Sequence, residues 1–218
     1  MKQEEIKAVI YDMDGVLIDS EPLWKIAMEK VFKEQGCDLK KKDFEQTVGL
    51  RLDEVINYWY DRKPWEGVGP KEVLNLILEE MVQLIKAHGS CLPGVRESLT
   101  FFKEQGMKLA LATSSYQVLI DAVLEVLEIG DYFDLTHSAE KERFGKPHPD
   151  VYLHTAQEIG VKPINCLVIE DSLNGVIAGK AARMTVVCIP EKTHEPDPRL
   201  ILADVRREDL NELIATWK

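Results

Sequence analysis

No run of apolar residues in this 218-residue chain approaches the ~20 needed to cross a bilayer, and the run near the N-terminus is cut at Asp12. Positive charge is scarce as well: 27 Lys and Arg stand against 38 Asp and Glu, a formal charge of -11, with no lysine or arginine block. That argues against the basic footprint of a nucleic-acid binder and against a membrane-surface helix. The four cysteines, Cys37, Cys91, Cys166 and Cys188, form no Cys-x-x-Cys pair, so neither a disulfide framework nor a zinc ribbon is expected. The histidines, at 88, 137, 148, 154 and 194, include no His-Glu-x-x-His, and no zinc is expected. Gly145-Lys146 lacks the upstream glycine of a P-loop, and Ser114 and Ser115 lack a Gly-x-Ser-x-Gly context. The acidic start, Met1 to Glu5, has no positive leader region, which makes the cytoplasm the expected compartment. There is no internal repeat and no low-complexity linker.

What is present is ordinary core material, 45% hydrophobic with 30% charged residues. Short apolar segments at 8–11, 107–112, 166–169 and 184–189 are separated by stretches with helical spacing, which predicts a Rossmann-like α/β core: a parallel sheet with helices on both faces. One interval breaks the rhythm. About ninety residues lie between the first two strands, far beyond the dozen or so that a crossover needs. They read as helices at 22–35, 52–61 and 71–87, the first with Ser20 as a possible N-cap and Gly36 as a stop. The expected organisation is a catalytic core of 1–15 and 91–218 with an all-α cap inserted at 16–90. Residues 190–202 read as a surface loop leading into a short helix, and 208–217 as the last helix.

Ligands of open parallel sheets bind beyond the carboxyl ends of the strands. There the sequence places Asp12 and Asp14, then Thr113-Ser114-Ser115, then Glu170-Asp171-Ser172, with Lys146 in the loop Phe144-Gly145-Lys146-Pro147-His148-Pro149-Asp150. Singly, each has a plain structural reading: an acidic turn, two helix caps, an ordinary loop. Jointly they pose an electrostatic problem, because carboxylates that face one another raise one another's pKa unless a cation intervenes. Hard oxygen donors suit Mg²⁺, and Lys146 supplies a second positive charge, so a dianionic phosphate can enter an acidic protein.

In order, Asp12-x-Asp14-Gly15-Val16, Thr113, Gly145-Lys146-Pro147-x-Pro149-Asp150 and Glu170-Asp171-Ser172-x-x-Gly175 resemble the four motifs of the haloacid dehalogenase-like hydrolases, and the insert resembles that superfamily's helical cap. The resemblance spans nearly the whole chain. It implies that Asp12 is a nucleophile forming an aspartyl-phosphate, and that Asp14 is the general acid and base. Thr113, Ser114 and Lys146 would hold phosphoryl oxygens, with Met13 among the substrate-binding residues. Mg²⁺ would be held by Asp12, Asp14 and Asp171, with Glu170 in or just outside the first coordination sphere. The dehalogenase branch lacks the second aspartate, so Asp14 favours phosphoryl chemistry.

In the cap, Glu21, Trp24 and Val48-Gly49-Leu50-Arg51 fall where the family's cap faces the phosphate. Arg51 could take a substrate hydroxyl or a second anion, or be a helix-surface charge, and Trp24 could equally be a core aromatic. The β-phosphoglucomutase branch has a histidine where this chain has Trp24, and its cap arginine stands three residues after its glycine, whereas Gly49 and Arg51 are two apart. The stretch Gly49-Leu50-Arg51-Leu52-Asp53-Glu54-Val55, with Trp59-Tyr60, Lys63-Pro64-Trp65, Ser138-Ala139-Glu140-Lys141 and Lys180-Ala181-Ala182-Arg183-Met184, is similar to bacterial hexitol phosphatases that also cleave 2-deoxyglucose 6-phosphate. The expected activity is hydrolysis of a sugar or polyol phosphate by a monomer. A phosphosugar mutase and a non-catalytic sensor of a phosphorylated metabolite are the alternatives.

Overall fold

The computed structural model describes residues 5–47, 50–190 and 197–217. Its centre is a six-stranded sheet whose neighbouring strands are all parallel, in the order β3-β2-β1-β4-β5-β6. The strands are β1 (Ala8–Tyr11), β2 (Lys108–Thr113), β3 (Leu135–Ser138), β4 (Cys166–Glu170), β5 (Thr185–Cys188) and β6 (Val205–Arg206). β1 and β4 lie side by side at the centre, and every residue of both is buried. Successive side chains point to opposite faces. Val9 and Tyr11 therefore enter one apolar cluster while Ala8 and Ile10 enter the other. Burial on both faces is why these strands are apolar without alternation, from Ala8 to Tyr11 and from Cys166 to Ile169, until Glu170 ends β4.

The core helices are α5 (Val95–Glu104), α6 (Gln117–Leu127), α7 (Asp150–Glu158), α8 (Leu173–Ala181) and α9 (Leu210–Ala215). The last is shorter than the expected 208–217, since Asp209 is its N-cap, accepting from the Glu212 N–H. β3 and β6 were not among the expected strands. Both are short edge strands, and Leu-Thr-His-Ser in β3 offers a single apolar side chain, Leu135, to one face and none to the other.

Between β1 and α5 the chain builds α1 (Glu21–Glu34), α2 (Lys41–Phe44), α3 (Leu52–Arg62) and α4 (Pro70–His88). Ser20 does stand at the N-cap of α1, but its side chain makes no cap hydrogen bond; the hydroxyl goes to Asp14 instead. The chain leaves and returns through two segments that pair with each other, Ile18 bridging Cys91 in antiparallel fashion and the Leu92 N–H donating to Leu17 O at 3.1 Å. Apolar residues of α1, α3 and α4 join the same buried cluster as Val9 and Tyr11. Val48 and Gly49 of the expected cap segment, and residues 191–196 of the expected 190–202 loop, lie outside the described residues. Among the described residues no helix is long and apolar enough to cross a membrane.

Candidate active site

Strand order reverses between β1 and β4, and the crevice at such a switch point is where open α/β sheets bind ligands. β1 delivers Asp12 to it and β4 delivers Glu170 and Asp171, so parallel pairing alone brings three carboxylates together; one oxygen from each lies within 4.8 Å of the others. Gly15 keeps the turn after β1 close to Asp171. Its φ is +72°, and a Cβ there would lie 2.0 Å from Asp171 Oδ2.

Lys146 comes from the loop before α7, and its side chain is only 3% exposed. Its Nζ lies 2.8 Å from Glu170 Oε1 and 2.9 Å from Asp12 Oδ1. The contact with Asp12 is an ion pair without hydrogen-bond geometry, so Asp12 Oδ1 is a buried acceptor with no hydrogen-bond donor. Burial raises the Asp12 carboxyl; Lys146 opposes the shift, Glu170 and Asp14 add to it, and the result is a pKa of about 7. Burial would strip the Lys146 proton, but Asp12 and Glu170 outweigh it and hold the ammonium charged.

Glu170 is fully buried and fully occupied. Oε1 accepts from Lys146 Nζ and from Tyr152 OH at 2.8 Å; Oε2 accepts from the N–H groups of Asp171 and Ser172 and from Ser172 Oγ at 2.9 to 3.0 Å. Burial pushes this carboxyl up, yet Lys146 and these donors outweigh it and hold Glu170 below the usual carboxylate range. Gly175 makes room for it: a Cβ there would fall 1.5 Å from Glu170 Oε1. Asp171 has no such company. Burial first, then the charges of Glu170 and Asp12, push its carboxyl well above the usual range. The orphaned oxygen on Asp12, and an Asp171 that is hard to ionise without a neighbouring positive charge, make an all-oxygen donor set that fits a hard divalent ion.

Asp14 stands on the other side of the cleft, toward the cap. Its Oδ1 accepts from Ser20 Oγ at 2.5 Å and from Trp24 Nε1 at 3.0 Å, and its Oδ2 accepts from Ser115 Oγ at 2.6 Å. Trp24 is thus neither a plain core aromatic nor only a cleft wall. The partners of Asp14 escaped the sequence reading because serines at 20 and 115 look like helix caps. Thr113 is buried with Oγ1 accepting from the Ser115 N–H, and the Ser114 hydroxyl is buried with no partner.

Asp12, Asp14, Glu21, Trp24, Thr113, Ser114, Lys146 and Asp171 all line one cleft. Its cap side has an apolar wall of Trp24, Met28, Phe44, Leu50, Leu52 and Val55, beside the polar Asp19, Ser20, Glu21 and Thr47. Glu21 sits at the rim, 3.2 Å from Lys25. Two expected site residues are elsewhere. Met13 is 1% exposed within the apolar cluster, because the residue between the two aspartates points to the opposite side of the chain. Arg51 is buried outside the cleft: Nε and Nη2 fork onto Asp53 at 2.6 and 2.9 Å, and Nη1 reaches Ala139 O and Glu142 O at 3.0 and 2.8 Å. It is neither a surface charge nor a residue of the cleft lining, but a clasp between cap and core. Beside it Gly145 permits close approach, since a Cβ there would lie 2.9 Å from Glu54 Oε2. Arg51→Met is expected to cost about 2–3 kcal/mol by leaving two carbonyls short of a donor, lowering Tm by roughly 4–12 °C in a thermal melt.

A model of the haloacid dehalogenase-like hydrolase family matches residues 9–189. The chain is similar to "Hexitol phosphatase B" of Escherichia coli strain K12, 43% identical over 212 residues, 97% of this chain and 96% of that one. It is 34% identical over 180 residues to "Phosphorylated carbohydrates phosphatase" of Thermotoga maritima, covering 81% and 82% of the two chains. Among solved structures, a β-phosphoglucomutase from Clostridium difficile superposes with a TM-score of 0.84 at 27% identity, covering 95% of this chain and 93% of that chain.

Proposed function

The chain belongs to the haloacid dehalogenase-like hydrolases, and from that membership we propose that this phosphatase hydrolyses a hexitol or 2-deoxyglucose 6-phosphate through an aspartyl-phosphate on Asp12. The observation that carries the reading is the charge inventory of the cleft. Among the described residues that line it, Lys146 is the sole base, it lies against the three-carboxylate cluster, and the cap side carries an apolar wall with Asp19, Ser20, Glu21, Trp24 and Thr47 as polar points, none of them cationic. One phosphoryl group and one divalent ion can be balanced there. Among the described residues that line the cleft, no cation on the cap side awaits a second phosphate, such as that of the bisphosphate a phosphosugar mutase must hold: Arg51 lies outside the lining, committed to Asp53 and two carbonyls, and Lys25 is paired with Glu21.

In this mechanism one carboxylate oxygen of Asp12 attacks phosphorus opposite the ester oxygen. Asp14 protonates the departing alkoxide, then removes a proton from the water that attacks the phosphorylated Asp12 and frees inorganic phosphate. Thr113, the Ser114 N–H and Lys146 hold the equatorial oxygens, on which charge spreads as the bonds change. An Asp12 oxygen, the Asp14 carbonyl and Asp171 would hold Mg²⁺, which would supply the positive charge a dianion needs to approach this acidic cluster. Glu170, with both oxygens taken, stands outside that coordination sphere and fixes Lys146 and the 171–172 backbone. The cap and core enclose the cleft within one chain, so a monomer suffices.

Trp24 acts on the reaction through Asp14. Trp24→Phe keeps the apolar wall and removes one of the three donors that orient the carboxylate; kcat is expected to fall roughly 10-fold with KM little changed, as one lost hydrogen bond to a charged group implies. A KM effect without a kcat effect would make Trp24 a binding residue only.

Incubation with Mg²⁺ and, separately, sorbitol 6-phosphate, 2-deoxyglucose 6-phosphate or β-glucose 1-phosphate with a trace of its bisphosphate, followed by ³¹P NMR, tests the assignment. Growth of inorganic phosphate from the 6-phosphates is the expected result. Conversion of glucose 1-phosphate into glucose 6-phosphate with little free phosphate would replace the phosphatase by a mutase; binding without turnover would make the protein a sensor.

A further inference from the structure

Outside the cleft, three side chains with metal-ligating atoms converge from three different elements. His137 is on β3, Glu142 follows the tight turn Ala139–Lys141, and His154 is on α7. His137 Nε2 lies 2.7 Å from Glu142 Oε1, and His154 Nδ1 lies 2.8 and 2.9 Å from Glu142 Oε1 and Oε2. All three donors lie within 4.8 Å of one another, and none of these residues lines the cleft. We propose that His137, Glu142 and His154 form a second metal site, selective for a borderline divalent ion of the Zn²⁺ class over Mg²⁺.

The donor chemistry gives the selectivity. Two imidazoles and one carboxylate suit Zn²⁺, Ni²⁺ or Co²⁺, whereas the carboxylate cluster of the cleft is all oxygen and suits Mg²⁺. Spacing agrees, because bonds of ~2.0–2.1 Å to nitrogen and oxygen set neighbouring donors about 3 Å apart. The site is also built rather than incidental. Glu142 is 9% exposed, and its main chain is fixed at both ends, the N–H donating to Ala139 O and the carbonyl accepting from Arg51. Behind His137, Glu158 Oε2 stands 3.7 Å from Nδ1, the side away from Glu142. A metal on Nε2 would replace the proton shared there with Glu142 and leave the ring proton on Nδ1, on the side of this carboxylate, which is too far for a hydrogen bond but near enough to draw one on a small shift. The His154 side chain is 49% exposed, which gives the ion an entry side and room for water ligands. Bound metal ties β3, the turn that receives the Arg51 clasp, and the helix that carries Tyr152. The spacing His137, Glu142, His154 matches no local zinc motif, so the sequence expectation of no zinc reflects a site that only folding assembles.

The test is calorimetric titration of Zn²⁺ into the full chain, stripped by chelator and held in excess Mg²⁺ to fill the acidic cluster. One Zn²⁺ per chain is expected, with a Tm that rises on binding. His154→Gln, at a half-exposed position, should weaken binding at least 10-fold, and the pair His137→Gln with His154→Gln should abolish it, while Asp171→Asn leaves it unchanged. Co²⁺ in place of Zn²⁺ should give visible bands without thiolate charge transfer. No Zn²⁺ uptake by the wild-type chain, uptake equal in His154→Gln, or a thiolate signature would overturn the proposal.

Discussion

Asp12→Asn is expected to lower kcat by at least about 10⁴-fold while the chain remains folded, because in the proposed mechanism Asp12 is the covalent nucleophile, whose loss removes the reaction path and not merely a contact. The fold should survive the change for an electrostatic reason. Asp12 is 6% exposed and its carboxyl pKa is driven up to about 7, chiefly by burial, so its negative charge is held in place against a desolvation cost. A neutral amide of the same shape removes that charge, and Lys146 keeps its stronger partner, Glu170, at 2.8 Å. Phosphate release assayed beside a thermal melt separates the two effects: activity lost with Tm within a few degrees is the expected pair. Retention of a tenth of the wild-type rate would remove Asp12 from the role of nucleophile.

Glu170→Ala is expected to show the largest loss of stability in the molecule, about 3–5 kcal/mol. Glu170 is fully buried and receives five donors, two from side chains of distant segments and three from the adjoining 171–172 segment. Alanine would leave the buried Lys146 ammonium without its best partner, the Tyr152 hydroxyl without an acceptor, and the first turn after β4 without its anchor. For a chain of this length that corresponds to a fall in Tm of roughly 6–20 °C. Glu170→Gln preserves shape and some acceptors, so it should lie between wild type and alanine. Were Glu170 instead a direct metal ligand, the glutamine variant would lose Mg²⁺ affinity out of proportion to its loss of Tm, a difference that calorimetry with Mg²⁺ reads directly.

The clasp of Arg51 and the orientation of Asp14 show how cap and core depend on each other. Two of the three donors to Asp14 come from around α1, while the third comes from beyond β2. An opening of the cap that withdraws Trp24 and Ser20 would therefore loosen the residue assigned as acid and base, and a closed cap would hold it. Arg51, open in the sequence to a ligand contact or a helix-surface charge, takes neither place and reaches 88 and 91 residues along the chain to carbonyls of the core. Arginine suits this place because its planar fork can satisfy a carboxylate and two carbonyls at once.

The sequence by itself determined the parallel α/β core, the helical insertion, and the rim on which Asp12, Asp14, Thr113, Lys146, Glu170 and Asp171 lie. Those features rest on local signals: apolar runs of strand length, helical periodicity, and the polar residue that follows each strand. Short edge strands such as Leu135–Ser138 carry too little apolar pattern to be seen that way. Tertiary structure alone decided that Ser115 and Trp24 hold Asp14, that Tyr152 and Lys146 saturate Glu170, that Met13 and Arg51 turn away from the cleft, and that His137, Glu142 and His154 meet. The physical reason is that each of these depends on where a side chain points and on partners as many as 101 residues away in sequence, as for Ser115 and Asp14. Periodicity fixes which face of an element a residue occupies; only the packing of elements against one another fixes what that face meets.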